Sequence, residues 1–360
     1  MTFRKDDRRG CVFVALVCVL FICRCVPDDF PLQKIVDEFV EQHPEVHNCV
    51  AVVSNSDGSQ SWYGAAGTAF QEENTVMTGD TPIYLASITK MYTAVVILSL
   101  CEQGALSLDD RLSHFLPADT IKGIAVVDGK DYSGEISVRQ LLSHTSGIAD
   151  FYSERGKDGK TAYELYLENP GRCWTVDWNL ARTKTLPGHF PPGTGVWYSD
   201  ANYILLGKIA ERVSGSTLCQ LYQTFIISPL SLRHTWLAGS PSSPSELRMR
   251  PADVWDEKRE VSVIRENGSY WADGGLISTP EDCLVFFKAL NNGRLISEKS
   301  LRIMEDWKEL NPYLEYGCGL MRLRAENLCR YRGHFGSTGS FLLYCEDCLL
   351  YTSPSPRDRT

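Results

Sequence analysis

Ser87 and Lys90 are the pair in this chain whose types and spacing best suit covalent chemistry. They stand in "YLASITKMYTAVVILSLCEQG" (residues 84–104), three positions apart at the head of a long apolar-periodic run that ends on a glycine. On a helix, positions i and i+3 share a face, so the hydroxyl and the amine can meet. A serine at a helix start has its own N–H and the helix dipole beside it, and both favour developing negative charge. A lysine amine shielded from water has its pKa lowered, and can then take or relay the serine's proton. Taken alone, "SITK" is equally an ordinary helix start. Other candidate groups are weaker. His43 and His47 in "HPEVH" have i,i+4 spacing, but Pro44 and the polar setting point to an ordinary surface helix rather than a metal site. Asp109 and Asp110 read as a solvated helix start.

The elements that would position Ser87 follow from local patterning. Apolar residues at Leu32, Ile35, Val36, Phe39 and Val40 mark an amphipathic helix, and "CVAVVSNSDGSQSWYGAAG" reads as strand, Asp-Gly turn, strand. The Ser87 helix stops at Gly104. "LSLDDRLSHFLP" and "ISVRQLLSHTSGI" are short helix starts with capping residues, and residues 155–195 form a Gly/Pro/Trp-rich excursion. "DANYILLGKIAERVSG" is a helix ending at Gly215, and "TPEDCLVFFKALNNG" is another, with Thr279 as cap and Gly293 as stop. Strand-like pieces return at "GGLIST", "YGCGLMRL" and "GSFLLY". Helices in the middle and strands at both ends argue an α/β fold with a helical insert, not two independent domains.

The chain's ends read differently from its body. "MTFRKDDRRG" then "CVFVALVCVLFIC" is a basic segment followed by a roughly 13-residue apolar run, short of the about 20 residues a spanning helix needs. Residues 1–26 therefore read as a signal peptide, or as an anchor through residues 11–23 if uncleaved, with the body of the protein outside the cytoplasm. At the other end, "CLLYTSPSPRD" resembles translated sequencing-adaptor read-through, so residues 348–360 are expected to be a non-native, disordered tail. Formal charge is −9; the first ten residues carry +2 and the last thirteen +1, leaving −12 for the body. No basic stripe or nucleic-acid motif is present, which argues against a nucleic-acid partner. Outside the leader and the tail, eight of the thirteen cysteines remain. That even number permits disulfides in an exported chain without choosing their pairing, and no pair of CxxC motifs suggests zinc.

Three further stretches follow "SITK" in order: "LLSHTSGI", "FPPGTGVWYSDANYILLG" and "GHFGSTGSF". Together the four resemble the serine β-lactamase-related hydrolases of the class C kind, a group that includes β-lactamases, D-alanyl-D-alanine carboxypeptidases, esterases and aminopeptidases. The resemblance covers residues 30–347. It implies an antiparallel sheet flanked by helices plus a mostly helical domain, with the active site between them, and no cofactor or metal. By that resemblance Ser87 is acylated and Lys90 assists its deprotonation. Tyr198 shuttles protons, its phenol pushed toward phenolate by nearby cations. His334 lines the site and meets a substrate carboxylate or Tyr198. The N–H groups of Ser87 and Ser337 form the oxyanion hole, and Gly336 lets substrate approach its strand. Ser143, His144 and Ser146 then belong to a structural turn, and Trp174, Trp178 and Trp197 either border the cleft or fill the core. The resemblance also implies sheet strands and a closing helix beyond residue 347.

Asp200 departs from the pattern, because many relatives carry Asn there. An ionised carboxylate accepts hydrogen bonds only, so it cannot hold an acylamide carbonyl as an amide N–H would. Asp200 and the histidine of "HFG" turn the expectation away from β-lactams and toward small esters, amides or D-amino-acid peptides. A β-lactamase, or a non-catalytic binding relative on the same fold, are the alternatives. Asn267 begins a glycosylation sequon, "NGS", usable in a eukaryotic source.

Overall fold

Alternating burial along residues 48–55 and a turn at Asp57 and Gly58 build the first hairpin, β1 (Asn48–Asn55) with β2 (Ser61–Phe70). The computed structural model describes residues 32–240, 249–256, 258–266, 270–324, 330–347 and 350–354. The leader, the Asn267 sequon and most of the C-terminal tail lie outside the described residues. The other strands of the main sheet are β3 (Thr75–Val76), β4 (Lys308–Asn311), β5 (Leu314–Tyr316), β6 (Met321–Leu323), β7 (Tyr331–Phe335), β8 (Phe341–Cys345) and β9 (Leu350–Pro354). All pairings are antiparallel, in the order β4-β5-β6-β7-β8-β9-β1-β2-β3. The sheet thus draws on both ends of the described chain, with the helices between them, as the patterning requires.

Helix α1 (Leu32–Gln42) packs on β2, and α4 (Pro280–Asn291) packs across β1, β8 and β9. Thr279 caps α4 by accepting the Asp282 N–H at 3.3 Å. In the helical region α2 (Thr89–Glu102) packs against α3 (Asp200–Ser214). Every residue of α2 from Thr89 to Leu100 is buried, so this helix runs through the core rather than along its surface. Gly104 and Gly215, both at positive φ, end α2 and α3. A small sheet of Ile83–Tyr84, Leu276–Ser278 and Trp236–Leu237 holds the chain just before Ser87, and Leu85 N–H donates to Leu276 O at 2.9 Å.

Three local expectations change. "HPEVH" is a turn after α1, because proline lacks the N–H a helix interior needs and drives the preceding residue out of the α region. "YGCGLMRL" is two strands, β5 and β6, reversed at residues 317–320, where Gly317 N–H donates to Leu320 O at 2.8 Å. Residues 350–354 of the tail form β9 between β8 and β1, with Thr352 opposite both Leu343 and Val53. A slot flanked by two strands offers unpaired backbone groups on both sides, which an extended segment of almost any sequence can satisfy. Cys345 is disulfide-bonded, whereas Cys101, Cys173, Cys283 and Cys318 are thiols. Among the described residues no helix is long and apolar enough to cross a membrane, and no cluster of His, Cys, Asp and Glu could hold a metal.

Candidate active site

Ser87 lies in a 3₁₀ turn (Ala86–Ile88) that runs directly into α2. Ala86 before it sits at φ +47°, a conformation an alanine adopts only when its surroundings enforce it. They do so from the sheet side. Thr338 Oγ1 donates to Tyr84 O at 2.9 Å and Ser340 Oγ donates to Leu85 O at 3.0 Å. Gly336 makes this approach possible, since a Cβ there would lie 2.2 Å from Ser340 Oγ and 2.5 Å from Leu85 O. Its role is thus close packing of the motif turn on the nucleophile's own backbone, a different use from the substrate approach expected of it.

The i,i+3 spacing works as the helix geometry requires: Lys90 Nζ donates to Ser87 Oγ at 3.0 Å. The same nitrogen donates to Asp200 Oδ1 at 2.5 Å and to Asp273 O at 2.7 Å. Lys90 is 0% exposed and Asp200 13%, so the ion pair is shielded from water. An ammonium has three donors, and all three are used.

Tyr198 stands half-buried just before α3, its phenol beside the Ser87 hydroxyl and its ring 5.0 Å from Lys90 Nζ. The "HTSG" turn holds it there. His144 O accepts from Trp197 N–H at 2.8 Å, and His144 Nδ1 accepts from Ser199 N–H at 3.2 Å and faces Asn202 Nδ2 at 2.9 Å. Ser146 Oγ donates to Asn202 Oδ1 at 2.7 Å. A ring nitrogen facing a backbone N–H must accept, so the proton of His144 is on Nε2. Burial, and then the Lys90 charge, push the His144 pKa well below its ordinary value. The stretch is the structural turn the resemblance implied, although it packs on the site, with the His144 ring 4.3 Å from that of Tyr198.

The Tyr198 phenol is not driven toward phenolate. Burial, and then the Asp200 carboxylate, push its pKa well above the ordinary value, while the Ser87 hydroxyl pulls the other way.

His334 is on β7 and fully buried, and its ring lies 6.4 Å from that of Tyr198, but its hydrogen bonds go elsewhere. Its Nδ1 faces Phe335 O at 2.8 Å and its Nε2 faces the Tyr316 hydroxyl at 3.2 Å. A carbonyl oxygen only accepts, so Nδ1 carries the proton and Nε2 is left as an acceptor, while the Tyr316 hydroxyl beside it donates to the Tyr203 hydroxyl at 3.3 Å. Burial, and then the Lys90 charge, lower its pKa to about 3. It is a neutral ring, unsuited to pairing with a substrate carboxylate.

Several residues of the site carried no local signal. Tyr316 on β5 lies within "YGCGL" but had no assigned role. Asp150 accepts the Asp200 N–H at 3.1 Å, and Asp273 supplies the carbonyl that Lys90 binds. Burial, and then the Asp200 charge, raise the pKa of both carboxyls. Trp174 is buried in the core beside Trp178, whereas Trp197 donates to Glu154 Oε1 at 2.8 Å.

With this geometry in place, comparison with known proteins is decisive for the family. The family described as Beta-lactamase matches residues 33–347. The chain belongs to the beta-lactamase family. It is 26% identical to penicillin-binding protein 4* of Bacillus subtilis over 84% of this chain and 66% of that protein. It is 30% identical to esterase EstB of Burkholderia gladioli over 56% of this chain and 50% of that protein. Its fold matches a D-stereospecific amidohydrolase from Streptomyces at a TM-score of 0.71 and 28% identity, covering 92% of this chain and 95% of that one. The chain spans 50–66% of the length of the first curated relatives it matches. The β-lactamase/transpeptidase-like fold implied by the motifs is the fold observed.

Proposed function

We propose that this protein is a serine hydrolase that acylates Ser87 and cleaves amide or ester bonds of small or D-amino-acid peptide substrates. The observation that carries the reading is the buried contact of Lys90 Nζ with Ser87 Oγ at 3.0 Å, completed by Asp200 at 2.5 Å. Relatives named as penicillin-binding protein, esterase and D-stereospecific amidohydrolase support the substrate range.

The proton path follows from the geometry. Lys90 has no lone pair to offer while its three donors are engaged, so its part is to hold Ser87 Oγ and balance charge, not to take the proton. Tyr198 is a neutral phenol beside Ser87. As Ser87 Oγ attacks the carbonyl, its proton passes to the Tyr198 oxygen while the Tyr198 proton passes to the leaving nitrogen or oxygen. The phenol is neutral before and after, which suits its raised pKa. Water then enters by the same relay in reverse and releases the acid. Ser87 N–H lies in the first turn of its helix and Ser337 N–H at the centre of the Gly336–Gly339 turn, positions whose donors have no partner within the element and can face an oxyanion. Asp200 offers no donor to an acylamide, which disfavours β-lactams. The basic-then-apolar leader supports export of the catalytic domain. Labelling with a fluorophosphonate tests the reading: the expected adduct is on Ser87, and its absence refutes the proposal.

A further inference from the structure

Tyr198 is carried by backbone that is neither helix nor strand, residues 187–199, so its position depends on what ties that segment down. One side is tied to the "HTSG" turn, where His189 N–H donates to Gly147 O at 2.9 Å and Gly193 N–H to Thr145 O at 2.7 Å. A single carboxylate ties the other side. Glu154 Oε1 accepts the Trp197 indole N–H at 2.8 Å and the Asp150 N–H at 2.6 Å, and it faces His189 Nε2 at 2.9 Å. Facing an acceptor, Nε2 is the protonated nitrogen of His189. The His189 ring also stacks on that of Trp197, with centroids 3.7 Å apart, so the indole is held by its face and by its edge. Asp150 extends the hold, because its Oδ1 accepts the Asp200 N–H at 3.1 Å. Glu154 therefore braces Tyr198 from both directions along the chain: residue 197 directly, and residue 200 through Asp150.

We infer that Glu154, with His189 and Trp197 as its partners, is a positioning residue that keeps the Tyr198 phenol in line with Ser87. The inference rests on the proton relay proposed for Tyr198. Hydrogen bonds to an ionised acceptor are stronger than neutral ones, and three donors converge here on one oxygen. The Glu154 and His189 side chains are only 20% and 25% exposed, so water competes poorly for these bonds. A relay that exchanges two protons needs both oxygens on target, and a misplacement of about 1 Å can cost about a hundredfold. Slack at Trp197 reaches Tyr198 across one peptide unit. The hydrogen bonds of Glu154 go to the segments that carry Tyr198 and Asp200 rather than to Ser87 or Lys90, so it acts through the tyrosine. Removing its carboxylate leaves the indole N–H and the Asp150 N–H without their acceptor.

The test is a double-substitution cycle in the full chain with p-nitrophenyl butyrate as substrate. Values of kcat are taken per folded molecule, counted by near-ultraviolet circular dichroism. Glu154→Ala is expected to lower kcat about 10–100-fold while KM stays within about threefold. Glu154→Gln keeps an acceptor of the same shape and should return kcat to within about fivefold of the parent. In a Tyr198→Phe chain, Glu154→Ala should have no more than about a twofold further effect, because the group it positions is gone. Trp197→Phe keeps a ring and removes the indole donor; it should lower kcat about three- to tenfold, and it replaces Glu154→Ala in the cycle if that variant does not fold. Parental kcat in either variant, a rise in KM without a fall in kcat, a Glu154→Gln chain no better than Glu154→Ala, or an equal loss with and without the Tyr198 hydroxyl each overturns the assignment. Tyr198→Phe by itself reads the relay. Parental kcat there sinks the relay and the positioning role with it, whereas a loss there beside fully active Glu154 variants sinks the positioning role alone.

Discussion

The two walls of the cleft bury polar groups equally deeply and treat them in opposite ways. On the helical wall, Lys90 is fully buried and paired with a carboxylate, with an acceptor for each of its three donors. On the sheet wall, His334 is as deeply buried, yet its partners are one carbonyl and one phenol, and the charge felt most strongly there is the repelling one of Lys90. Charge survives burial where a counter-charge and full hydrogen bonding offset desolvation; elsewhere the group goes neutral. Asp150 and Asp273, buried beside the charged Asp200, follow the same rule from the acidic side.

The largest effect should come from the nucleophile that only the helical wall supplies. Ser87→Ala is expected to lower kcat for a simple ester by about a thousandfold or more, and to remove acyl labelling, with an unchanged circular-dichroism spectrum. A label recovered on any other serine would break the assignment.

Next in size is the charge balance itself. Lys90→Met leaves Asp200 beside two more carboxyls with no cation among them. Urea unfolding should show a loss of about 3–5 kcal/mol, the usual cost of stranding one partner of a buried pair. A loss below about 1 kcal/mol would mean that the helical wall is not held by this pair.

The sheet wall should reveal itself in acid. His334 has its folded pKa lowered to about 3, below its ordinary value of 6.5. Between those values the unfolded chain binds a proton that the folded chain excludes, so stability rises with pH across that window. His334→Gln should flatten the slope between about pH 6 and 4 in thermal melts. Asp273 has the opposite sense: its raised pKa makes stability fall as pH climbs above the ordinary carboxylate range, and Asp273→Asn should flatten that limb. Unchanged profiles in both variants would remove the contrast between the walls.

The smallest effect concerns selectivity. Asp200→Asn supplies the amide donor that the carboxylate lacks while keeping an acceptor for Lys90. The kcat/KM ratio for a matched amide and ester should rise by a factor of about 5–30, the worth of one recovered hydrogen bond. A flat or falling ratio in a folded variant would show that Asp200 serves Lys90 alone.

Much of this was legible in local residue patterns. The β1–β2 hairpin, α2 ending at Gly104, α3 ending at Gly215 and α4 capped by Thr279 follow from alternation, caps and turn glycines, each decided within a few neighbouring residues. The Ser87–Lys90 contact is equally local, because helical spacing alone brings positions i and i+3 together. The rest was not legible for two reasons: in "HPEVH" Pro44, taken with the polar setting for part of a surface helix, instead stops the helix, and β9 pairs with partners nearly three hundred residues away.

The sequence by itself determined which candidate side chains stand at chemically useful spacing and which elements hold them, since side-chain type, spacing and capping are properties of the chain alone. Only the tertiary structure decided their states. Lys90 meets Asp200 and Asp273 from 110 and 183 residues away, and Glu154 meets Trp197 across 43. Whether a carboxyl is charged, an imidazole protonated or a phenol ionised depends on burial and on which charges face it, and both are settled when distant segments pack.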